Sequence, residues 1–167
     1  SATLDLHAAV TKVFLPTAVL FHYQWNMSEL GNVFQGMCKA NLSLHNQPAS
    51  FARLWYNECV RTFRDRMPRE SDIAKFDEIM VPIQRQWFPD LPQPEWDLCA
   101  TTLWAPFTTT KDGTDGVYDE VSVEQGFDFL ARRLVDYNGN YAKMDLVLFQ
   151  DAVEHVCRIA RITSNPR

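Results

Sequence analysis

The run Ser50-Phe51-Ala52-Arg53-Leu54-Trp55-Tyr56-Asn57-Glu58-Cys59-Val60-Arg61-Thr62-Phe63 decides the fold. Wound at 3.6 residues per turn, it places Phe51, Leu54, Trp55, Cys59 and Phe63 on one face and Arg53, Asn57, Arg61 and Arg64 on the other. That is an amphipathic helix, with Ser50 placed to cap its start and Pro68 to stop it. The pattern recurs on both sides. Downstream, Ser71 caps a helix through Ile73, Phe76, Ile79, Met80, Ile83 and Trp87. Upstream, Asn26 stands as an N-cap with Glu29 three residues on, close to a capping box. Met27, Leu30, Phe34 and Met37 follow at helical spacing, with Gly36 near the expected end. A polar loop, Asn41–Ala49, separates this helix from the central one. Three amphipathic helices joined by short loops predict a helical bundle.

Before the bundle, residues 3–14 carry Leu4, Leu6, Ala8, Val10, Val13 and Phe14 at helical spacing, and Pro16 ends the run. An aromatic stretch, Phe21-His22-Tyr23-Gln24-Trp25, then reads as extended or loop-like. Beyond Trp87 the texture changes. Pro89, Pro92, Pro94 and Pro106, with Trp96 and Trp104, describe an irregular connector over 88–121, anchored by its aromatics. Lys111-Asp112-Gly113-Thr114-Asp115-Gly116 is a turn cluster. Val117, Tyr118, Val121 and Val123 allow a short strand, isolated or in a weak hairpin. Ser122 with Gln125 repeats the capping-box pattern before a helix carrying Phe127, Leu130, Leu134 and Tyr137. After the turn signal Asn138-Gly139-Asn140, Leu146-Val147-Leu148-Phe149 leads into a last helix with Val153, Val156, Ile159 and Ile162. The fold expected is mainly α: a bundle over 1–87, the connector, and helices over 122–167.

Composition narrows the function. The 16 basic and 21 acidic side chains leave a net charge of −5, which gives no general attraction to nucleic acid or anionic lipid. No apolar run approaches the roughly 20 residues of a membrane span, and no charged leader opens the chain. Cys38, Cys59, Cys99 and Cys157 lie far apart and read as reduced, mostly buried thiols. Both ends read as cut from something longer, since helical patterning begins at once and Ser164-Asn165-Pro166-Arg167 directly follows an amphipathic stretch.

Chemistry is hard to find. The chain has no GxSxG, HExxH, Gly-rich dinucleotide turn or phosphate-binding loop, so no catalytic residue and no metal ligand is assigned. His7, His22, His45 and His155 are scattered. His155 and Cys157 stand two apart on a helix and point in different directions, so a packed or surface pair outweighs a metal or thiol site. Glu58, Arg61 and Asp65 sit at helical spacing and read as a solvated face with ion pairs, with an interface role for Arg61 or Arg64 as the alternative. The connector's tryptophans fit packing against the chain's own bundle better than a peptide groove.

Three stretches carry more. Phe14-Leu15-Pro16-Thr17-Ala18, then Phe21-His22-Tyr23-Gln24-Trp25-Asn26-Met27-Ser28-Glu29-Leu30 and Val33-Phe34-Gln35-Gly36, resemble the signature of the third AAA+ module of dynein heavy chains. Arg53-Leu54-Trp55-Tyr56-Asn57-Glu58-Cys59 through Phe63-Arg64-Asp65-Arg66-Met67 looks like the helix that follows it there. Met144 to Ile159 is similar to the approach to the fourth module. Order and spacing match over nearly the whole chain, and the connector is the least recognisable part.

The resemblance implies that 1–87 is the small helical lid subdomain of the third module and that 122–167 leads into the large subdomain of the fourth. In the family a phosphate-binding loop follows directly. Without it the chain itself would hold no cofactor, whereas the full-length parent would bind ATP or ADP with Mg. Ser28 stands where the family has its sensor-two arginine, and a short neutral side chain cannot make that γ-phosphate contact. Leu146, Val147, Leu148 and Phe149 match the segment lining the adenine pocket of the fourth module, with the start of a core element as the plainer reading. His22 and Tyr23 read as packing residues of the lid base.

The implied function is a structural, non-catalytic part of an ATP-driven microtubule motor. Its direct partners would be the neighbouring AAA+ modules of the same chain. Microtubules and the dynein intermediate and light chains would be reached only through the full-length parent. The Phe-Gln-Gly and Arg64-Asp65-Arg66-Met67 endings look axonemal, of the outer-arm beta type, which implies a ciliary or flagellar axoneme, with the cytoplasm as alternative. A free-standing helical protein–protein interaction domain is the competing reading.

Overall fold

Helices appear where the periodicity asks for them, but several begin and turn differently. The structure, a computed structural model, describes residues 1–41, 45–99, 101–109 and 115–164. The turn residues Lys111–Thr114 and the final Asn165-Pro166-Arg167 therefore lie outside the described residues. The chain divides into two compact units, Ser1–Trp96 and Asp97–Arg167.

The first unit contains α1 (Ala2–Val13), α2 (Met27–Lys39), α3 (Pro48–Thr62), a single 3-10 turn (Arg64–Arg66) and α4 (Glu70–Trp87). The short α5 (Gln93–Leu98) begins at its end. Their shared core is Leu6, Val10, Phe14, Tyr23, Trp25, Val33, Trp55, Cys59, Phe63, Phe76, Met80 and Ile83. The unit extends beyond Trp87 because Phe88 and Trp96 fold back onto it. Phe88 lies 5.3 Å from the Trp55 ring, and Trp96 lies 5.6 Å from Phe88 and 6.3 Å from Tyr56. Trp87 closes the far end by donating its indole N–H to Asp5 over 2.6 Å. Those two tryptophans thus do pack on the bundle.

Three helical expectations need correction. Ser50 and Ser71 are not caps, because α3 starts at Pro48 and α4 at Glu70. Proline fits the first helical position, where its missing N–H is not needed, and Glu70 with Asp72 suits the positive end of the α4 dipole. Phe51 accordingly sits near the surface instead of in the apolar stripe. On α2 the buried stripe is Glu29, Leu30, Val33 and Gly36, while Met27 and Phe34 face outward. The helix is rotated so that Gly36, not Phe34, meets α3.

The second unit departs most from the sequence reading. The connector, expected to be irregular apart from a short strand or weak hairpin, holds a full antiparallel hairpin, β1 (Thr102–Thr109) with β2 (Asp115–Ser122), in register Leu103 to Val121 and Ala105 to Asp119. Pairing slips between Ala105 and Thr108. Pro106 lies there, and the break in register accommodates a residue with no N–H to give. Trp104 therefore packs in the hairpin, its ring 5.7 Å from Tyr118. The β2 strand is the one the valines suggested.

Two helices complete this unit, α6 (Val123–Asn140) and α7 (Gln150–Thr163). The α6 start is a full capping box. Gln125 N–H donates to Ser122 Oγ over 3.2 Å, and Ser122 N–H donates to Gln125 Oε1 over 3.1 Å. Ala105, Val121, Val153 and Cys157 form the core, with Leu103, Phe107 and Leu130 against it. Gly126 of α6 packs closely there, since a Cβ on it would come 3.0 Å from Val153 Cγ1 and press that side chain to give way. Asn138-Gly139-Asn140 forms the last turn of α6 and not a separate loop. Among the described residues no helix is long and apolar enough to cross a membrane.

Candidate functional site

The segment Phe14–Asn26 has no regular secondary structure, yet its buried aromatic side chains with polar atoms, Tyr23 and Trp25, are hydrogen-bonded. Trp25 Nε1–H donates to the Phe14 carbonyl over 2.8 Å, closing the segment on itself. Tyr23 O–H donates to Asp72 Oδ2 of α4 over 2.9 Å. Both partners are buried, and burial, followed by the hydrogen bond and charge of Asp72, pushes the Tyr23 pKa up to about 12. Phe14, Tyr23, Trp25 and Phe63 stack edge-on or tilted in sequence, with centroids 5.6–6.0 Å apart. His22 and Tyr23 thus act as packing residues. His22 Nε2 meets the Arg66 carbonyl at 3.0 Å.

Arg66 is the keystone. Its Nη1 donates to Glu29 Oε1 over 2.9 Å, its Nη2 donates to the His22 carbonyl over 2.7 Å, and its guanidinium lies 4.9 Å above the Trp25 ring. A lysine could not make this planar set of contacts. Glu29 uses its other oxygen to accept the Asn26 backbone N–H over 2.6 Å. That is the reach-back arm of the capping box anticipated from Asn26 and Glu29. Burial raises the Glu29 pKa, but the backbone N–H groups of Asn26 and Glu29, then Arg66 and Ser28, outweigh it and hold the carboxyl below its ordinary value.

Ser28 sits in the first turn of α2, exposed, and donates its hydroxyl to Glu29 Oε2 over 3.2 Å. It brings no charge to the helix start. The cation beside it, Arg66, is already engaged by Glu29. Leu146, Val147, Leu148 and Phe149 belong to the other unit, in a stretch without regular secondary structure before α7. Leu148 is half-buried and the other three are exposed, Val147 most of all at 84%. They do not begin a core element of the described unit.

A second polar cluster was misread from the sequence. Glu58 is not on a solvated face: it is 0% exposed, and α2 covers it. Arg61 grips its Oε2 with Nε at 3.0 Å and Nη2 at 2.9 Å. Arg61 Nη2 also reaches the Asn32 carbonyl of α2 at 3.4 Å. The approach is possible because Gly36 has no side chain, for a Cβ there would overlap Glu58. The glycine opposite a helical glutamate was the available signal. Elsewhere, His155 is exposed while Cys157 is buried, which separates that pair as their spacing required. Of the four cysteines, Cys59 and Cys157 are buried, Cys99 is half-buried and Cys38 exposed. Burial raises the Cys157 pKa to about 11, and Cys59 also lies well above its ordinary value. Among the described residues no group of His, Cys, Asp and Glu could hold a metal ion.

Comparison with known proteins matches residues 1–97 to the AAA+ lid domain, more than half of the chain. The chain belongs to the AAA+ lid family. Over 99% of its length this lid-bearing chain is 43% identical to the beta chain of the flagellar outer-arm dynein of Chlamydomonas reinhardtii. It is 40% identical over 100% of its length to the ciliary dynein beta chain of Tripneustes gratilla. Against dynein axonemal heavy chain 17 of Mus musculus it is 35% identical, again over 100%. The resemblance to axonemal dynein heavy chains therefore holds from end to end, connector included. The chain spans about 4% of the length of these relatives.

Proposed function

We propose that this AAA+ lid chain is a scaffold segment of the motor ring of an axonemal dynein heavy chain and performs no hydrolysis itself. The observation that carries the reading is the AAA+ lid match over 1–97 inside a sequence similar throughout to ciliary and flagellar dyneins. In this reading residues 1–87 are the lid of the third module and 88–121, hairpin included, form the connection. Residues 122–167 lead into the large subdomain of the fourth. The parent would be an ATP-driven microtubule motor of the axoneme, with ATP or ADP and Mg bound by other parts of its chain.

The lid's part is mechanical. A lid transmits nucleotide-dependent closure as a rigid body, which requires that its helices not shift against one another. Two devices supply that stiffness: Arg66 clamps the Phe14–Asn26 segment to the start of α2, and the Glu58–Arg61 pair of α3 meets α2 at Gly36 and the Asn32 carbonyl. Ser28 stands at the position of the family's sensor-two arginine, so the third site reads γ-phosphate weakly and serves regulation more than turnover. Leu146–Phe149, largely exposed here, would line the adenine pocket of the fourth module once the rest of that module surrounds them. The test is Ser28→Arg in the full-length motor. Raised nucleotide turnover at the third site is the expected result, and unchanged turnover there would remove Ser28 from the account.

A further inference from the structure

Asn138 stands in the last turn of α6, half-buried, where asparagine is a poor helix former. Its carboxamide does not serve the helix. Nδ2 donates to the Met144 carbonyl over 3.1 Å, and the Met144 N–H donates to Oδ1 over 2.8 Å. A planar amide that gives one bond and takes one fixes both the place and the orientation of the backbone it faces. The neighbouring Asn140 makes the contrast: its Nδ2 donates to the Asp136 carbonyl over 2.9 Å, within α6. The turn beyond the helix is held at its start as well. The Tyr141 N–H donates to the Tyr137 carbonyl over 2.9 Å, and the two rings stack with centroids 4.9 Å apart. The Lys143–Asp145 pair, 3.0 Å apart and exposed, adds little.

Just beyond Met144 come Leu146, Val147, Leu148 and Phe149, apolar side chains in succession and largely exposed. Their far end is fixed by α7, whose Val153 N–H donates to the Phe149 carbonyl over 3.1 Å. Their near end is fixed by Asn138. We propose that Asn138 is the positioning residue for this segment: its grip on Met144 sets where these side chains stand when they meet the purine ring of a nucleotide. The proposal rests on the reading of Leu146–Phe149 as the adenine-pocket lining of the fourth module. Asn138 acts through the backbone of Met144 and itself touches no nucleotide. A segment released at one end spends less time in the binding-competent arrangement, and the apparent dissociation constant rises by the inverse of that fraction. Two hydrogen bonds of ordinary net strength set that rise at about fivefold or more.

Photolabelling of the full-length heavy chain with an azidoadenine analogue of ATP tests this. Trypsin cuts after Lys143 and Arg158, so the segment is recovered on one peptide and its labelling is read by mass spectrometry. Asn138→Leu removes both bonds at similar side-chain size, Asn138→Asp keeps only the acceptor, and Asn140→Ala removes only the bond inside α6. The expected result is a half-saturating analogue concentration raised about fivefold or more in Asn138→Leu and less in Asn138→Asp, with Asn140→Ala unchanged. ATP should also lose its advantage over GTP as a competitor in Asn138→Leu, a change that general loosening of α6 would not single out. Equal half-saturation in Asn138→Leu and the parent would overturn the proposal. An equal rise in Asn140→Ala would overturn it too, by assigning the effect to fraying of the helix. An unlabelled parent peptide rejects the adenine-pocket reading itself, so the two failures are distinguishable.

Discussion

Gly36→Ala tests the α2–α3 lock at its tightest point. A Cβ at residue 36 would lie 1.7 Å from Glu58 Oε2 and 2.1 Å from Cδ, far inside contact distance. Glu58 cannot simply swing away, because it is fully buried and its Oε2 takes both bonds from Arg61. Either α2 lifts off α3, an overpacking cost of about 1–3 kcal/mol, or the buried pair breaks, at about 3–5 kcal/mol. Alanine returns about 1 kcal/mol of helix propensity inside α2. The cheaper route governs, so the net expectation is a loss of up to about 2 kcal/mol of stability, read by urea unfolding followed by far-ultraviolet circular dichroism. The double variant with Glu58→Ala isolates the cause. With the carboxylate gone, Gly36→Ala should become neutral or stabilising by up to about 1 kcal/mol, leaving a coupling energy of about 1–3 kcal/mol. If Gly36→Ala is stabilising in the native background, the close approach of the two helices is wrong.

Arg66→Ala removes the ion pair to Glu29, the bond to the His22 carbonyl and the stacking on Trp25, and should cost about 1–3 kcal/mol in the same urea assay. Arg66→Lys should recover less than half of that, since the planar fork is lost. Tyr23 gives a pH signature. Its raised pKa means the folded chain holds the phenol proton more tightly, so its contribution is complete below about pH 10. That contribution is lost as pH climbs toward about 12. Thermal unfolding between those values should be less pH-dependent in Tyr23→Phe than in the parent chain; equal slopes would place Tyr23 outside the buried network. Val153→Ala should cost about 2–4 kcal/mol through the cavity left under Gly126 and Ala105, measured as a lowered unfolding midpoint.

The bundle was legible because its helices are long enough for several turns of periodicity, and Asn26 with Glu29 marked one start correctly. What the pattern could not give was rotation. Apolar spacing alone favoured Phe34 over Gly36 as the buried residue of α2, because a glycine contributes nothing to such a stripe. The close approach depends on a partner carboxylate that lies on another helix, Glu58. The hairpin was half legible for a similar reason. The valines of β2 announce a strand, whereas Pro106 masks β1, and only the break in register beside Ala105 lets the strand tolerate it. Of the candidate site residues, Ser28 was singled out by its place in a motif, and its neighbour Glu29 by its capping-box spacing from Asn26. The role of Arg66 was hidden, because its partners Glu29, His22 and Trp25 lie some forty residues away in the chain.

The most direct measurement is the size and location of the native polypeptide carrying this sequence, read with an antibody raised against it on whole cells and isolated cilia or flagella. The account predicts a single very large polypeptide enriched in the axonemal fraction. A band near 19.3 kDa, the mass of this chain alone, would contradict it and leave a free-standing helical interaction domain in its place.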